Sequence, residues 1–368
     1  EAKGLDDRIR AGRMKVKILA TANDDTIIDL ITGLRRAGML SGVRTAARNI
    51  IGNALSATLD EVAQIPAVLV DVILGKFTKV RTRARTGDAI LPSFSTAVRK
   101  GLRDSWDTIK TGGTPGELGK YDFPKELNFQ AAARGKNLAS PLNTYVNFVM
   151  RFQGAYDKPA RAYATKRSLI ESAKVAAMNE GLRGQTFTNR VKELVLNPTE
   201  AMQIRAIADA EEAILGNDSL FARKVNEIKQ MNEASKLIGD FAIPFTRIPS
   251  NIVGRVVESS PIGLVFNATK AITLVKKGAI TPDLQRQISK QIGRGSVGTA
   301  LIWLGVEMGR AGIISGRFDF RSKDTDEATG KTPNGIKIGD KMYRISDSVI
   351  GMLLSIGALT VICAKPLA

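Results

Sequence analysis

Apolar and polar residues alternate along most of the chain at a spacing of three to four residues, the period of an amphipathic helix. The pattern predicts helices over Thr26–Gly38 and Ser41–Gly75, with Pro66 bending the second of them. It resumes over residues 140–180, where Pro159 is expected to introduce a kink. The hydrophobic pattern therefore indicates a protein built mainly of helices.

Several helix starts are marked by a capping side chain followed by proline, which is tolerated at the first helical position. Glu200 follows Asn197 by three residues, the spacing of a capping box. Asn251 is expected to cap one more helix through its side chain. The cap–proline pairs are Ser140-Pro141, Asn197-Pro198 and Thr281-Pro282. Charge-rich amphipathic helices are predicted over Glu200–Leu215 and Leu220–Ile238.

One region alternates with the period of two that is typical of strands. Residues 336–338 and 341–345 flank Gly339-Asp340, so a two-residue β-hairpin is predicted there. The polar stretch Arg321–Gly335 before it is predicted to be a loop, and a turn-rich linker is predicted over Thr111–Lys136.

Two apolar runs, Gly295–Gly316 and Ser348–Ala364, come close to the length of a bilayer span. Glycines recur in the first run at spacings that place them on one helix face, including two GxxxG pairs, and such pairs allow two helices to approach closely. Glu307 and Arg310 are expected to pair across one helical turn. Membrane insertion and burial in a soluble assembly remain open alternatives. The predicted packing glycines are Gly298, Gly305, Gly309, Gly312 and Gly316.

These elements predict a mainly α fold, an elongated multi-helix assembly segment with one small C-terminal β-hairpin. The sequence divides into five regions. They are an N-terminal helical region (1–75), a basic segment with a turn-rich linker (76–139), a long-helix bundle (140–240), a proline corner with glycine-rich apolar helices (241–316), and a loop, hairpin and terminal apolar helix (317–368).

Charge adds a functional expectation, because 54 Lys and Arg face 36 Asp and Glu, a net charge of +18. Such an excess attracts polyanions, either nucleic acid or anionic membrane. It is locally strongest in one segment that contains a single acid, Asp88. A solvated face is the alternative to a nucleic-acid or phospholipid contact there. The residues concerned are Lys76, Lys79, Arg81, Arg83, Arg85, Arg99, Lys100 and Arg103.

Candidate chemistry is sparse. The chain has no histidine and one cysteine, Cys363, so it lacks the usual general base and cannot form a thiolate metal site. No catalytic residues, cofactor or metal are predicted. The chain is therefore expected not to be an enzyme. Gly293–Gly298 spells GxGxxG, but the residues before it predict a helix and not the strand that a dinucleotide site requires. An aromatic stripe is predicted to lie in the core, with base stacking as the alternative. Its members are Tyr145, Phe148, Phe152, Tyr156 and Tyr163.

Three stretches carry a resemblance. They are Leu34–Leu40 leading into Val43–Asn49 and Asn53, then Pro244–Ile252, and finally Gly335–Tyr343 just after the glycine-rich run. In this order they resemble the helical regions of very large tailed-phage polypeptides, the internal virion (ejection) proteins and related large polyvalent proteins. The resemblance extends from Leu34 to about Ala358.

The resemblance implies a structural segment that is stored inside the capsid and then delivered into the host cell envelope, where it assists genome delivery. The partners it implies are phage DNA, host membrane lipids and other virion proteins such as portal and ejection proteins, with assembly as a homo-oligomer. The chain begins at Glu1 and is expected to be part of a longer polypeptide. Two alternatives are a non-catalytic helical region of a virion-packaged nucleic-acid enzyme and a purely structural capsid or tail component.

Overall fold

The structure, a computed structural model, describes residues 34–35, 37–39, 41–111, 139–215, 227–228, 247–316, 328, 332–345 and 348–363. The fold is mainly α-helical with one small antiparallel hairpin near the C-terminus, as predicted. The helices are α1 (Val43–Thr78), α2 (Gly87–Thr111), α3 (Ala139–Asn179), α4 (Gly184–Leu196), α5 (Glu200–Ala213), α6 (Arg247–Glu258), α7 (Pro261–Lys276), α8 (Pro282–Arg310) and α9 (Val349–Cys363). The strands are β1 (Gly335–Ile338) and β2 (Lys341–Arg344).

The chain forms two compact units, and each contains stretches that are distant in sequence. Unit 1 comprises Glu1–Asn53, Ala89–Ile170 and Glu193–Asn251. Unit 2 comprises Ala54–Asp88, Glu171–Lys192 and Ile252–Ala368.

Helix α1 runs through Pro66 and continues to Thr78. Beyond it, residues 81–86 form no regular secondary structure, and the buried carboxylate of Asp71 holds them against the helix. Asp71 accepts hydrogen bonds from the backbone N–H groups of Thr82 and Arg83 at 3.1 Å. It also accepts from Gln285 Nε2 at 2.7 Å. One buried side chain therefore determines the path of the chain after α1 and joins it to α8.

The helix starts agree with the predictions in part. Thr281 caps α8 and accepts a hydrogen bond from the N–H of Leu284, with Pro282 in the first turn. For α5 the predicted cap is wrong, because Thr199 takes that role and the helix begins two residues later than expected. Asn251 does not cap a helix either. It lies inside α6, where its Nδ2 donates to the carbonyl of Leu215 at 2.7 Å.

The hairpin has the predicted two-residue connection. Ile338 pairs with Lys341 across the turn, and Gly339 adopts a positive φ of 61°. Residues 313–315 extend the sheet, since the N–H of Lys337 donates to the carbonyl of Ile313 and the N–H of Ser315 donates to that of Gly335. The hairpin is thus fixed to the segment that follows α8.

Two small apolar clusters lie in the core of unit 2, among the residues that the structure describes. One is centred on Leu59, Val349 and Leu353 and joins α1 to α9. The other is centred on Leu74, Ala271 and Ile288 and joins α1, α7 and α8. Several predictions lie wholly or largely outside the described residues, namely the helices Thr26–Gly38 and Leu220–Ile238, the linker Thr111–Lys136, the loop Arg321–Gly335 and the start of the stretch Pro244–Ile252.

Candidate functional site

The predicted basic segment is divided between the two units. Six of its side chains are exposed, whereas Arg81 and Arg83 are not. The residues from Lys76 to Arg85 belong to unit 2 and those from Arg99 to Arg103 to unit 1. The exposed members are Lys76, Lys79, Arg85, Arg99, Lys100 and Arg103.

Arg83 must be removed from the predicted contact set, because only 3% of it is exposed. Its Nη1 lies 2.9 Å from Glu171 Oε1, and the same carboxylate accepts from Arg286 at 3.1 Å. Arg81 is partly exposed and lies 3.0 Å from Asp71, so its charge is also compensated within the protein. Both arginines stabilise residues 81–86, which follow α1. A run of basic residues in the sequence does not show whether its members pair within the protein or bind an anion.

A basic cleft, lined by α2 and α3 within unit 1, contains one member of the predicted set. Its volume is about 610 Å³. Lys100 comes from α2, and three cations from one face of α3 join it: Lys158, Arg161 and Lys166. Asp104 is the carboxylate in the lining, and Thr96 and Thr165 supply hydroxyl groups; Ala97, Ala162 and Leu169 form the apolar part.

The walls of this cleft are held together by a close crossing of the two helices. A Cβ atom on Gly101 would lie 2.4 Å from Pro159 Cα, so a larger residue does not fit there. Pro159 has no N–H, which leaves the Ala155 carbonyl without its helical donor. Ser105 Oγ lies 2.8 Å from that carbonyl and can donate to it. Glycine, proline and serine therefore set the distance between the basic side chains.

The electrostatics of the cleft favour an anion. Lys100, Arg161 and Lys166 face one lining carboxylate, Asp104, whereas Lys158 lies in the wall of the cleft with only 7% of its surface exposed. Arg161 also lies 3.3 Å from Glu211 of α5, so part of its charge is neutralised by the protein. Two lysines and a partly paired arginine match the requirements of phosphate oxygens better than those of a neutral ligand; the Thr165 hydroxyl donates to the Arg161 carbonyl at 2.9 Å and so belongs to the wall.

The aromatic stripe lies on the same helix as three of the cleft cations, and the prediction that it belongs to the core is wrong for its first members. Tyr145, Phe148 and Phe152 are exposed. The rings of Phe148 and Phe152 are stacked, with centroids 5.9 Å apart and planes at 12°. Tyr156 meets Phe152 edge-to-face at 4.8 Å. Burial raises the pKa of Tyr156 above its usual value.

In unit 2, the predicted packing glycines contact the chain itself. A Cβ atom on Gly305 would lie 2.2 Å from the Leu354 carbonyl oxygen of α9, and one on Gly309 would lie 2.9 Å from Ala358 Cα. From the other side, a Cβ atom on Gly357 would lie 2.0 Å from the Ile302 carbonyl oxygen. The two apolar runs therefore pack on each other, as GxxxG spacing permits.

The predicted glycine-rich helix ends earlier than expected. Gly298 packs on the Ser259 carbonyl, but Gly312 has a φ of +69° and terminates α8. The N–H of Ile313 donates to the Met308 carbonyl at 2.9 Å, which completes a Schellman motif. Gly316 lies beyond the helix, where its carbonyl accepts from the N–H of Asn334. Gly312 and Gly316 are thus not on the packing face.

Glu307 and Arg310 form the predicted pair at 2.8 Å. Both side chains are exposed, so the pair is at the surface and not in the apolar setting for which it was proposed. Exposed pairs of this kind contribute little to stability, about 0.2–1 kcal/mol.

The interior of unit 2 contains an ionic cluster in addition to its apolar ones. Asp60 on α1 accepts from Arg255 of α6 at 2.8 Å and from Arg294 of α8 at 2.9 Å. All three side chains are less than 10% exposed. Arg294 also lies 3.4 Å from Glu258. A buried carboxylate between two guanidinium groups joins three helices and would be costly to break.

Two helices of unit 2, α7 and α1, expose apolar side chains at its surface. On α7 the buried positions are small or polar (Gly263, Asn267 and Ala271), while Ile262, Val265, Phe266 and Ile272 are exposed. Helix α1 likewise buries polar side chains (Asp60, Gln64 and Asp71) and exposes apolar ones. Its exposed apolar residues are Val62, Ile65, Leu69, Val72, Ile73 and Phe77. None of the helices in the described part of the chain combines the length and the apolar character needed to cross a membrane.

The GxGxxG stretch has a packing role. It lies inside α8, and a Cβ atom on Gly293 would lie 2.4 Å from the Ala63 carbonyl of α1. The backbone is helical on both sides, so the strand–turn–helix geometry of a dinucleotide site is absent there. Within the described ranges, no group of three or more Cys, Asp or Glu side chains is arranged to hold a metal ion.

The basic cleft depends on residues that the sequence reasoning did not select. Lys158, Arg161 and Lys166 recur at helical spacing on one face of α3, so a search for basic helix faces would have found them. Their distance in sequence from Lys100 concealed the shared site. Comparison with protein-family models, characterised proteins and solved structures finds no match.

Proposed function

We propose that this chain is a structural segment of a tailed-phage internal virion (ejection) protein that helps to carry the genome across the host cell envelope. In this proposal it is stored in the capsid, assembles as a homo-oligomer with other virion proteins, and reaches the envelope on infection. Unit 1 contacts DNA through the basic cleft, and unit 2 contacts an anionic membrane surface through its apolar side chains.

The observation that carries the proposal is the apolar surface that helices α1 and α7 expose on unit 2, whose interior holds buried ion pairs beside its apolar clusters. Buried ion pairs around Asp60 lie inside, and aliphatic and aromatic side chains lie outside. Water-soluble monomers rarely expose apolar patches of this kind unless a partner or a membrane covers them.

Helix α7 is the part of unit 2 best suited to lipid contact. Its exposed side is mainly apolar, interrupted by Thr269 and Thr273, and Phe266 is 68% exposed. Between Glu258 and Asp283 the sequence contains three lysines and no acid. An apolar helix face accompanied only by positive charge suits the headgroup region of an anionic bilayer, where such a helix lies in the plane of the interface.

Vesicle flotation tests this part of the proposal. The full chain should float with vesicles that contain phosphatidylglycerol and less with vesicles of phosphatidylcholine alone. Phe266→Asp should lower the partition coefficient about tenfold or more, because a buried Phe contributes about 1.5–3 kcal/mol. Leu196→Asp is the matched control, since Leu196 is 79% exposed but lies in unit 1. Wild-type protein that stays at the bottom of the gradient with anionic vesicles would refute the membrane contact.

DNA retention tests the other part. Binding to phosphate releases counterions, so the affinity should fall steeply between about 50 and 200 mM salt. Replacing Lys100 and Lys166 with glutamine should weaken binding and flatten this dependence, whereas Lys337→Gln, an exposed residue of the hairpin, should change neither. A salt-independent affinity in the wild type would contradict the proposed DNA contact.

A further inference from the structure

Phe148 and Phe152 of the aromatic stripe lie partly exposed on the surface of α3. Phe148 and Phe152 are 52% and 40% exposed, although phenyl side chains are normally buried. The two rings are stacked on each other, with planes at 12°. Tyr156 continues the row at one-turn spacing with an edge-to-face contact. We refer to these three residues as the aromatic ladder.

The ladder lies directly beside the basic cleft in sequence, on the same helix. Tyr156 is followed two residues later by Lys158, which lines the cleft together with Arg161 and Lys166. From Phe148 to Lys158 the helix rises by about 15 Å. A chain that carries both phosphates and flat rings can extend over this distance and contact both features.

The exposed apolar surface of α3 differs from that of unit 2. On the described part of α3, the large apolar side chains that are exposed are Tyr145, Phe148 and Phe152, together with Met178 near the end of the helix. Helices that lie on lipid present a broad apolar face along their length, whereas the exposed rings of α3 form only a short row. A short row of rings next to cations is instead the combination that proteins use for single-stranded nucleic acid, in which the bases are free to stack on aromatic side chains and the backbone follows a positive groove.

We infer that unit 1 binds single-stranded nucleic acid, with bases stacked on the aromatic ladder and phosphates held in the basic cleft. This inference rests on the proposed DNA contact and specifies its partner. A duplex keeps the faces of its bases inside the stack, so the ladder has little to contact in double-stranded DNA. The ladder thus gives the site a preference for unpaired strands that the cations alone would not provide.

Fluorescence anisotropy with a labelled single strand and with the duplex of the same sequence tests the inference on the full chain. The wild type should bind the single strand more tightly. Replacing Phe148 and Phe152 with leucine keeps the apolar volume and removes the ring faces. This double variant should lose about fivefold or more in affinity for the single strand, because each stacked base contributes at least this factor, and should keep its affinity for the duplex.

The control variant, Lys100→Gln with Lys166→Gln, should weaken binding to both nucleic acids. Equal affinity of the wild type for strand and duplex would overturn the inference while leaving the DNA contact intact, as would a leucine variant that binds like the wild type. Absence of salt-dependent binding to either nucleic acid would instead refute the proposed DNA contact itself. If light scattering shows that the leucine variant changes the oligomeric state without loss of strand affinity, the ladder is a protein interface and the inference is wrong.

Discussion

Replacement of Gly305 by alanine directly tests the packing of the two apolar helices. The added methyl group would lie 2.2 Å from the Leu354 carbonyl oxygen and 2.9 Å from Leu354 Cα. Both opposing atoms are backbone, so no side-chain rotation can relieve the clash. An ordinary carbon–oxygen contact is about 3.3 Å or longer, and α9 must therefore retreat by about 1 Å.

The magnitude follows from two opposing effects. Alanine is favoured over glycine inside a helix by about 1 kcal/mol. Overpacking costs typically about 1–3 kcal/mol, and a gap of about 1 Å along the remaining interface forfeits up to half of each dispersion contact there. We expect the upper part of that range, because neither helix can yield locally. The net free energy of unfolding should fall by about 1–2 kcal/mol.

Gly254→Ala is the matched control. Gly254 also lies inside a helix of unit 2, but no atom comes within 4 Å of its Cβ position. This substitution should stabilise the protein by about 0.5–1 kcal/mol, since only the helix propensity changes.

Urea unfolding followed by far-ultraviolet circular dichroism compares the two variants. The midpoint should move down for Gly305→Ala and up for Gly254→Ala, with little change in slope. Hydrogen exchange should accelerate in α8 and α9 of the first variant alone. If Gly305→Ala raises the midpoint as much as Gly254→Ala does, the close contact between α8 and α9 does not exist in solution, and the reasoning from the glycine face fails.

Three further predictions concern other parts of the chain. Gly101→Ala should destabilise unit 1 and weaken DNA binding. Gly154→Ala should be neutral or stabilising, because its new methyl group would meet only a side-chain atom at 3.8 Å. Equal effects of the two variants in urea unfolding would argue against the close crossing of α2 and α3. Asp60→Ala should lower the free energy of unfolding by about 3–5 kcal/mol in the same assay, because two buried guanidinium groups lose their shared carboxylate. A decrease below about 1 kcal/mol would show that the ionic cluster is hydrated. Burial raises the pKa of Tyr156 above 10.0, so the difference in tyrosinate absorbance between the wild type and Tyr156→Phe should appear at higher pH than that of free tyrosine. The stability that the neutral phenol of Tyr156 contributes is complete below pH 10 and is lost as the pH rises through the raised pKa. A Tyr156→Phe variant that unfolds at alkaline pH in the same way as the wild type would contradict this prediction.

The sequence predicted local structure well where local physics decides it. The two-residue connection at Gly339-Asp340 and the start of α8 at Thr281-Pro282 were both correct, because turn and cap preferences depend on only a few neighbouring residues. The start of α5 was misplaced, since Asn197 and Thr199 are both good caps and the choice between them is not local.

The site was predicted less well. The charge run that includes Lys100 was correctly located, but Arg83 in the same run proved to be buried against Glu171. Charge density in a sequence does not show which cations face a carboxylate from a distant segment. The cations on α3 that complete the cleft lie more than 50 residues away from Lys100.

By itself, the sequence determined the helical character, the hairpin, the positive balance and the presence of a glycine face suited to close packing, because each of these follows from composition or from spacing within one element. The tertiary structure decided the rest. It selected α9 as the partner of the glycine face, ended α8 at Gly312, placed the charges of Asp60 and Arg294 inside unit 2 and left Phe148 outside the core of unit 1. These outcomes depend on which distant segments of the chain pack together. Only that packing decides which charged and aromatic side chains are buried, and burial requires a buried charge to be paired.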